Sequence, residues 1–127
     1  MAQIDFVCRC RFGCNDPIDE PQYDYVRIAD PDEDISLLVG ANDSVVSQKE
    51  ISIKYDYPLK EPMSFTHKNE KGFTRADLVR CVADDYQRIY RDHSEKVDGS
   101  DYTSDLNYLV VSGLEKEGSD YQARVFS

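Results

Sequence analysis

The sequence has little of what several protein classes require. It contains no tryptophan, only two histidines and two methionines among 127 residues, and 15 Lys+Arg against 25 Asp+Glu. No run approaches the roughly 18 consecutive apolar residues that a membrane-spanning helix needs. The first residues include Asp5 and lack the apolar core of a secretory signal. We therefore expect an intracellular, non-secreted protein with no membrane partner.

The short motifs of common enzyme classes are also absent. The sequence has no GxSxG, HExxH, GxxxxGK[ST] or GxGxxG, and no zinc-deaminase pattern. Asp84 and Asp85 are adjacent acids on a predicted helix, so their side chains diverge by about 100° and do not converge on one substrate atom. We expect no catalytic residue and no cofactor. An enzyme would need a concave site near His67, His93 or Cys81.

The excess of acid is concentrated in one segment. Residues 15–34 hold eight acids and one base, Arg27, together with three prolines. Like charges repel one another and proline removes backbone donors, so the sequence predicts an extended acidic arm over residues 1–48 and a compact domain over residues 49–127. The net charge of −10 disfavours direct contact with nucleic acid or anionic membranes and favours a basic protein partner.

Hydrophobic periodicity predicts an α+β fold. Alternating apolar residues indicate a strand near the N-terminus, an antiparallel hairpin over residues 50–68 and a closing C-terminal strand. Thr74, with Asp77 three residues later, is typical of a helix N-cap and begins a long amphipathic helix over residues 74–96. Residues 104–112 suit either a short helix or a strand. We expect a small antiparallel sheet, formed by the hairpin and the C-terminal strand and packed by the one long helix.

The helix and the segment after it carry a family likeness. The run GFTRADLVRCVADDYQRIYRDHSEK (Gly72 to Lys96), followed by SDLNYLVVSGL and a C-terminal strand, resembles an uncharacterised small domain of plants and of large DNA viruses of protists. The resemblance covers residues 50–127 and lies mainly in the FTR helix start and the YQRIY helix end. It implies no activity and no catalytic residue, and it favours a structural component, such as part of a viral particle.

The cysteines allow three interpretations. Cys8, Cys10 and Cys14 are clustered and could bind a metal ion, with His67 or His93 as the fourth ligand. Their CxCxxxC spacing is not a usual zinc spacing, and alternation places Cys8 and Cys10 on the apolar face of a strand, where buried structural thiols are commoner. A disulfide or redox role is the third alternative, in which a bridge would join this cluster to Cys81, although reduced thiols are expected in an intracellular protein.

The acids and tyrosines of the arm are candidate interaction residues. The run from Asp30 to Asp34 begins like a calcium loop, but Ile35 and Ala41 occupy the positions where an EF-hand needs glycine and glutamate. Nine tyrosines are many for this length, and tyrosine suits both the rim of a small core and a protein interface. The candidate residues for contact with a partner are Asp30, Asp32, Glu33, Asp34, Tyr23 and Tyr25.

These observations lead to one main hypothesis and several alternatives. The main one is a non-enzymatic structural or interaction module that docks onto a larger, basic assembly. The alternatives are a small metal-binding protein that uses Cys8, Cys10 and Cys14, an acidic protein that imitates nucleic-acid charge in a basic groove, and an enzyme whose site the sequence does not reveal.

Overall fold

The structure is a computed structural model, and it describes residues 3–8, 24–98 and 105–127. The elements, in chain order, are β1 (Gln3–Asp5), β2 (Val26–Arg27), α1 (Pro31–Ser36), β3 (Ser44–Val46), β4 (Glu50–Tyr55), β5 (Met63–Lys68), β6 (Phe73–Thr74), α2 (Arg75–Asp92), β7 (Val110–Glu117) and β8 (Asp120–Phe126). Short 3₁₀ turns cover Ser94–Lys96 and Leu106–Tyr108. The predicted α+β class is confirmed.

The main sheet has the order β1–β7–β8–β4–β5, and β2 also pairs with β7. The predicted hairpin is present, because β4 and β5 pair antiparallel from Glu50 opposite Lys68 to Tyr55 opposite Met63. The C-terminal strand β8 pairs antiparallel with β7 and parallel with β4. The sheet is therefore larger than the small antiparallel sheet that periodicity predicts, and it is mixed, since local alternation carries no information about which distant strands become neighbours.

Helix α2 begins where the sequence predicts and ends four residues early. The Thr74 hydroxyl accepts a hydrogen bond from the Asp77 backbone N–H at 3.1 Å, and the Asp77 carboxylate accepts one from the Thr74 N–H at 3.0 Å. This capping box satisfies two backbone donors at the helix start. The helix ends at Asp92, and His93 forms its C-cap before the 3₁₀ turn.

Residues 24–48 differ from the predicted extended arm. Pro31–Ser36 form a helix rather than an extended segment, because Pro31 opens the first turn and three acids, Asp32, Glu33 and Asp34, favour the positive end of the helix dipole. Strands β1 and β2 both pair with β7. Residues 9–23, the middle of the predicted arm, lie outside the described residues.

One hydrophobic core lies between α2 and the inner face of the main sheet. Its largest fully buried side chains include Tyr55, Tyr86, Phe6, Ile28, Ile51, Ile53, Leu78, Ile89, Leu109 and Leu114. Side chains on both sides of residue 49 belong to this cluster. The described residues before position 49 thus contribute apolar surface to the same core, at about 25 cal/mol for each Å² removed from water. A division of the whole chain at residue 49 stays a prediction.

Among the described residues, no helix combines the length and the apolar character that crossing a membrane would require.

Candidate functional site

Asp34, one of the predicted interaction residues, is buried and binds within the chain. Its carboxylate accepts hydrogen bonds from the Arg27 backbone N–H at 2.8 Å and from Arg27 Nε and Nη2 at 3.2 Å each. This pairing ties α1 to β2, and the hydrogen bond to Asp34 is the main cause that raises the pKa of Arg27. Asp34 therefore stabilises the packing of α1 against β2, and its buried side chain exposes no surface to a partner.

The other predicted interaction residues lie at the surface or outside the described residues. Asp30, Asp32 and Glu33 are exposed, and Glu33 forms an ion pair with Arg27 at 3.2 Å. Tyr25 is half-buried and stacks edge-on against Phe126, with ring centroids 6.4 Å apart. Tyr23 lies outside the described residues. Contact of these residues with a partner stays a prediction.

The thiol cluster that could hold a metal ion is described only at Cys8. This side chain is fully buried, and its thiol donates to the Asp34 backbone carbonyl at 3.4 Å. Cys10 and Cys14 lie outside the described residues. Within residues 3–8, 24–98 and 105–127, no three His, Cys, Asp or Glu side chains form a group that could hold a metal ion.

Aromatic side chains gather at one end of the main sheet, where β4 and β8 end and β7 begins. Three of the exposed large hydrophobic residues lie here, namely Tyr57 (39% exposed), Tyr108 (51%) and Phe126 (44%). The Tyr57 and Ser127 hydroxyls are hydrogen-bonded at 2.7 Å, and Phe126 pairs in register with Val110 two residues after Tyr108. We call these three residues, together with Tyr25, the aromatic rim.

Carboxylates accompany the aromatic rim. Asp56 and Asp105 are exposed and lie close enough to influence neighbouring phenols. Burial, followed by the charge of Asp105 and the neighbouring Tyr57, raises the pKa of Tyr90 to about 12. Burial is also the largest cause of the raised pKa of Tyr86, followed by the electrostatic influence of Tyr90 and Asp56. The rim thus combines apolar rings with negative charge, a combination that suits arginine and lysine side chains.

A second, more buried cluster joins α2 to the edge strand β5. Asp85 is fully buried at the middle of α2, and its Oδ2 accepts hydrogen bonds from the Tyr55 hydroxyl and from His67 Nε2, the latter at 2.7 Å. Asp85 Oδ1 is also buried and has no hydrogen-bond partner among the described residues. Cys81 lies four residues before Asp85, on the same helix face, and is half-buried. We call Tyr55, His67, Cys81 and Asp85 the Asp85 cluster.

The electrostatics of the Asp85 cluster keep His67 protonated at neutral pH. The hydrogen bond to Asp85, followed by the influence of the neighbouring Cys81 side chain, raises the pKa of His67 to about 10, against the opposing effect of burial. Burial first, and then Asp85, raises the pKa of Tyr55 well above its usual value. Asp85 and His67 therefore form an ion pair with a thiol beside it.

Sequence reasoning identified His67 and Cys81 but missed Asp85. His67 follows Met63 and Phe65 on the inner face of β5. Asp85 lies on the apolar stripe of α2, seven residues after Leu78 and four before Ile89. A lone acid on such a stripe is buried when the helix packs, and a buried carboxylate needs a partner. The position of Asp85 on the apolar stripe was therefore the sequence signal that its side chain is buried. The adjacent Asp84 is exposed.

Two depressions on the surface lie away from the Asp85 cluster. One is lined by Lys49, Glu50, Lys68, Asn69 and Glu70, and the other by Asp5, Val7, Asp24, Ser112 and Arg124. Both are bordered mainly by charged side chains. Neither is lined by His67, His93 or Cys81, near which an enzyme would need a concave site.

Comparisons with protein-family models, with curated proteins and with solved structures found no match for this chain. The resemblance of residues 50–127 to a domain of plants and large DNA viruses stays a prediction.

Proposed function

We propose that this protein is a non-catalytic interaction module that docks onto a basic partner protein, as a small component of a larger assembly, through its aromatic rim. The observation that carries the proposal is the convergence of Tyr57, Tyr108 and Phe126 at one end of the sheet, each more than a third exposed. Exposed aromatic rings that gather in one place are typical of interaction surfaces.

Charge supports a basic partner. The chain has a net charge of −10, and Asp56 and Asp105 add carboxylates beside the rings. An arginine side chain can stack on a tyrosine ring and donate hydrogen bonds to a carboxylate at the same time. Attraction over longer distances would speed the encounter with a basic surface. A viral particle is one assembly of this kind, and the resemblance stated above favours it.

The test uses a defined basic probe. ¹⁵N-labelled protein is titrated with an oligo-arginine peptide, and amide shifts are followed by NMR. We expect the largest shifts at the aromatic rim and affinity that falls as salt rises. An oligo-lysine peptide of equal length should bind more weakly, by about tenfold or ~1.4 kcal/mol, because lysine lacks the planar group that stacks on aromatic rings.

Matched variants decide whether the rim is the binding surface. The triple variant Tyr57→Ala, Tyr108→Ala, Phe126→Ala should lose most of its affinity for oligo-arginine. Val39→Ala is the control, because Val39 is also exposed (37%) but follows α1 rather than ending the sheet. Equal affinity in the triple variant and the Val39 variant, or shifts spread evenly over every acidic residue, would overturn the proposal.

A further inference from the structure

The Asp85 cluster contains chemistry that an interaction module does not use. Four side chains from three elements meet there: Tyr55 on β4, His67 on β5, and Cys81 with Asp85 on α2. His67 is held by Asp85 at 2.7 Å, its side chain is 19% exposed, and Cys81 is half-buried rather than enclosed. Cys81 is therefore partly accessible from solvent, whereas the Asp85 carboxylate is enclosed.

We propose that Cys81 is a peroxide-reactive thiol, and that His67, held in place by Asp85, is the proton donor to the oxygen that leaves. The arrangement has the order of a nucleophile, a proton-transfer group and a group that orients it. Asp85 and Tyr55 are positioning residues in this scheme, since neither bonds to the reacting sulfur. The inference is independent of the function proposed above.

The reaction is a two-electron oxidation of sulfur by a hydroperoxide. The Cys81 thiol gives its proton to solvent, and the sulfur attacks the distal oxygen of hydrogen peroxide. The S–O bond forms as the O–O bond breaks, and the leaving hydroxide takes a proton from His67 to become water. His67 then regains a proton from solvent. Cys81 ends as a sulfenic acid, and one peroxide is reduced for each thiol oxidised.

Each group in the cluster has a feature that this reaction needs. His67 carries the proton to be transferred, because its ion pair with Asp85 keeps it charged. Asp85 is fully buried, and the Tyr55 hydroxyl and His67 Nε2 both bond to its Oδ2, which holds the carboxylate in place beside His67. Tyr55 fixes Oδ2 from the other side.

The first experiment needs no variant. Protein is exposed to hydrogen peroxide, sulfenic acid is trapped with dimedone, and modification at each cysteine is measured by mass spectrometry. We expect folded Cys81 to be oxidised at least about tenfold faster than Cys81 of the urea-unfolded chain, since a positioned proton donor contributes about 10²–10⁴ to a rate. Cys8, which is fully buried, should stay unmodified in the folded protein. A folded Cys81 no faster than the unfolded one would overturn the proposal.

A second experiment separates proton donation from simple access to the thiol. Alkylation by iodoacetamide releases iodide, which needs no proton, whereas reduction of peroxide releases an oxygen that does. His67→Gln should therefore slow oxidation of Cys81 by about tenfold or more and change its alkylation far less. His93→Gln is the matched control and should alter neither rate. An equal loss of both rates in His67→Gln would mean that His67 acts only on exposure or structure.

If His67→Gln does not fold, Asp85→Asn provides the second variant, because amide for carboxylate keeps the shape while removing the charge that holds the His67 proton. Folding is checked by circular dichroism and a thermal melt before either rate is measured. Asp85→Asn should again lower oxidation more than alkylation, and Asp84→Asn should change neither. Unchanged peroxide reactivity in folded Asp85→Asn would contradict the role assigned to the ion pair.

Discussion

Asp85 Oδ2 and His67 Nε2 are 2.7 Å apart, and this bond links the middle of α2 to the edge strand of the main sheet. The Tyr55 hydroxyl donates to the same carboxylate oxygen, so β4, β5 and α2 share one buried anion. Tyr55 also stacks edge-on against Tyr86, with ring centroids 5.0 Å apart. A polar contact thus lies within an otherwise apolar interface between helix and sheet.

Removal of the buried carboxylate should destabilise the fold strongly. Asp85→Ala leaves the Tyr55 hydroxyl without its acceptor and His67 without its counter-charge, so we expect a loss of about 3–5 kcal/mol in the free energy of unfolding. Urea denaturation measures it. Asp84→Ala is the control, because Asp84 is exposed and should change stability by no more than about 0.5 kcal/mol. Equal losses in the two variants would contradict the geometry.

Stability should depend on the protonation of His67. The pKa of His67 is raised from 6.5 to about 10 in the folded chain, so the folded state binds the proton more tightly than the unfolded state. The contribution of His67 is fully present below about pH 6.5 and is lost as pH rises through about 10. Wild type should therefore exceed His67→Gln in unfolding free energy near neutral pH, and the difference should shrink toward pH 10.

Denaturation of both proteins across this range checks the prediction. The two proteins differ only at residue 67, so the difference between the two curves reports the contribution of His67 and its contacts. A difference that stayed constant, or that grew with rising pH, would mean that His67 is not held as a cation by Asp85.

Two of the three acids of α1, Asp34 and Asp32, should behave differently on substitution. Asp34→Ala breaks the bonds to Arg27 and removes the tie between α1 and β2, which we expect to cost about 2 kcal/mol, since Arg27 is partly exposed and regains water. Asp32→Ala, two residues earlier and exposed, should cost less than about 0.5 kcal/mol. Thermal melts of the wild type and the two variants measure these losses as changes in melting temperature. Similar melting temperatures would show that Asp34 is a solvated acid of an extended arm.

Gly113 should tolerate no side chain, because β1 passes too close. A Cβ at this position would lie 2.1 Å from the Ile4 carbonyl oxygen, so Gly113→Ala must push β1 away from β7. We expect a loss of about 3 kcal/mol, at the upper end for overpacking. Faster hydrogen exchange of the Phe6 amide, which bonds the Ser112 carbonyl at 2.9 Å, would report the separation.

Gly118 provides the comparison for Gly113. No atom lies within 4 Å of a Cβ there, and the only cost is its positive φ of +64°. Gly118→Ala should cost about 1 kcal/mol and leave the exchange of Phe6 unchanged. If Gly113→Ala were no more harmful than Gly118→Ala, β1 would not pack against β7 as described.

Local patterns were sufficient for the hairpin, the start of α2 and the closing strand, but not for the end of α2 or for β7. The alternation of Ile51, Ile53 and Tyr55 specified β4, and Thr74 with Asp77 specified the start of α2, because these signals depend on neighbours within a few residues. The acids and prolines predicted an extended arm, and this prediction was wrong for residues 31–36, which form α1. Arg27 forms an ion pair with Asp34, and Ile35 is buried in the core. Both contacts depend on the packing of the folded chain.

The sequence by itself determined the acidic charge, the hairpin, the long helix and the closing strand, since each depends on composition or on short-range periodicity. Only the tertiary structure decided that β8 pairs parallel with β4, that α1 packs against β2, and that Asp85 meets His67. Those contacts lie beyond the reach of short-range periodicity, since even the nearest pair, Arg27 and Asp34, is seven residues apart, and their partners are selected by burial and hydrogen-bond satisfaction in the whole fold. The acids that looked alike in the sequence therefore differ, because folding buries Asp34 and Asp85 and leaves the other acids of the described residues at least partly accessible to solvent.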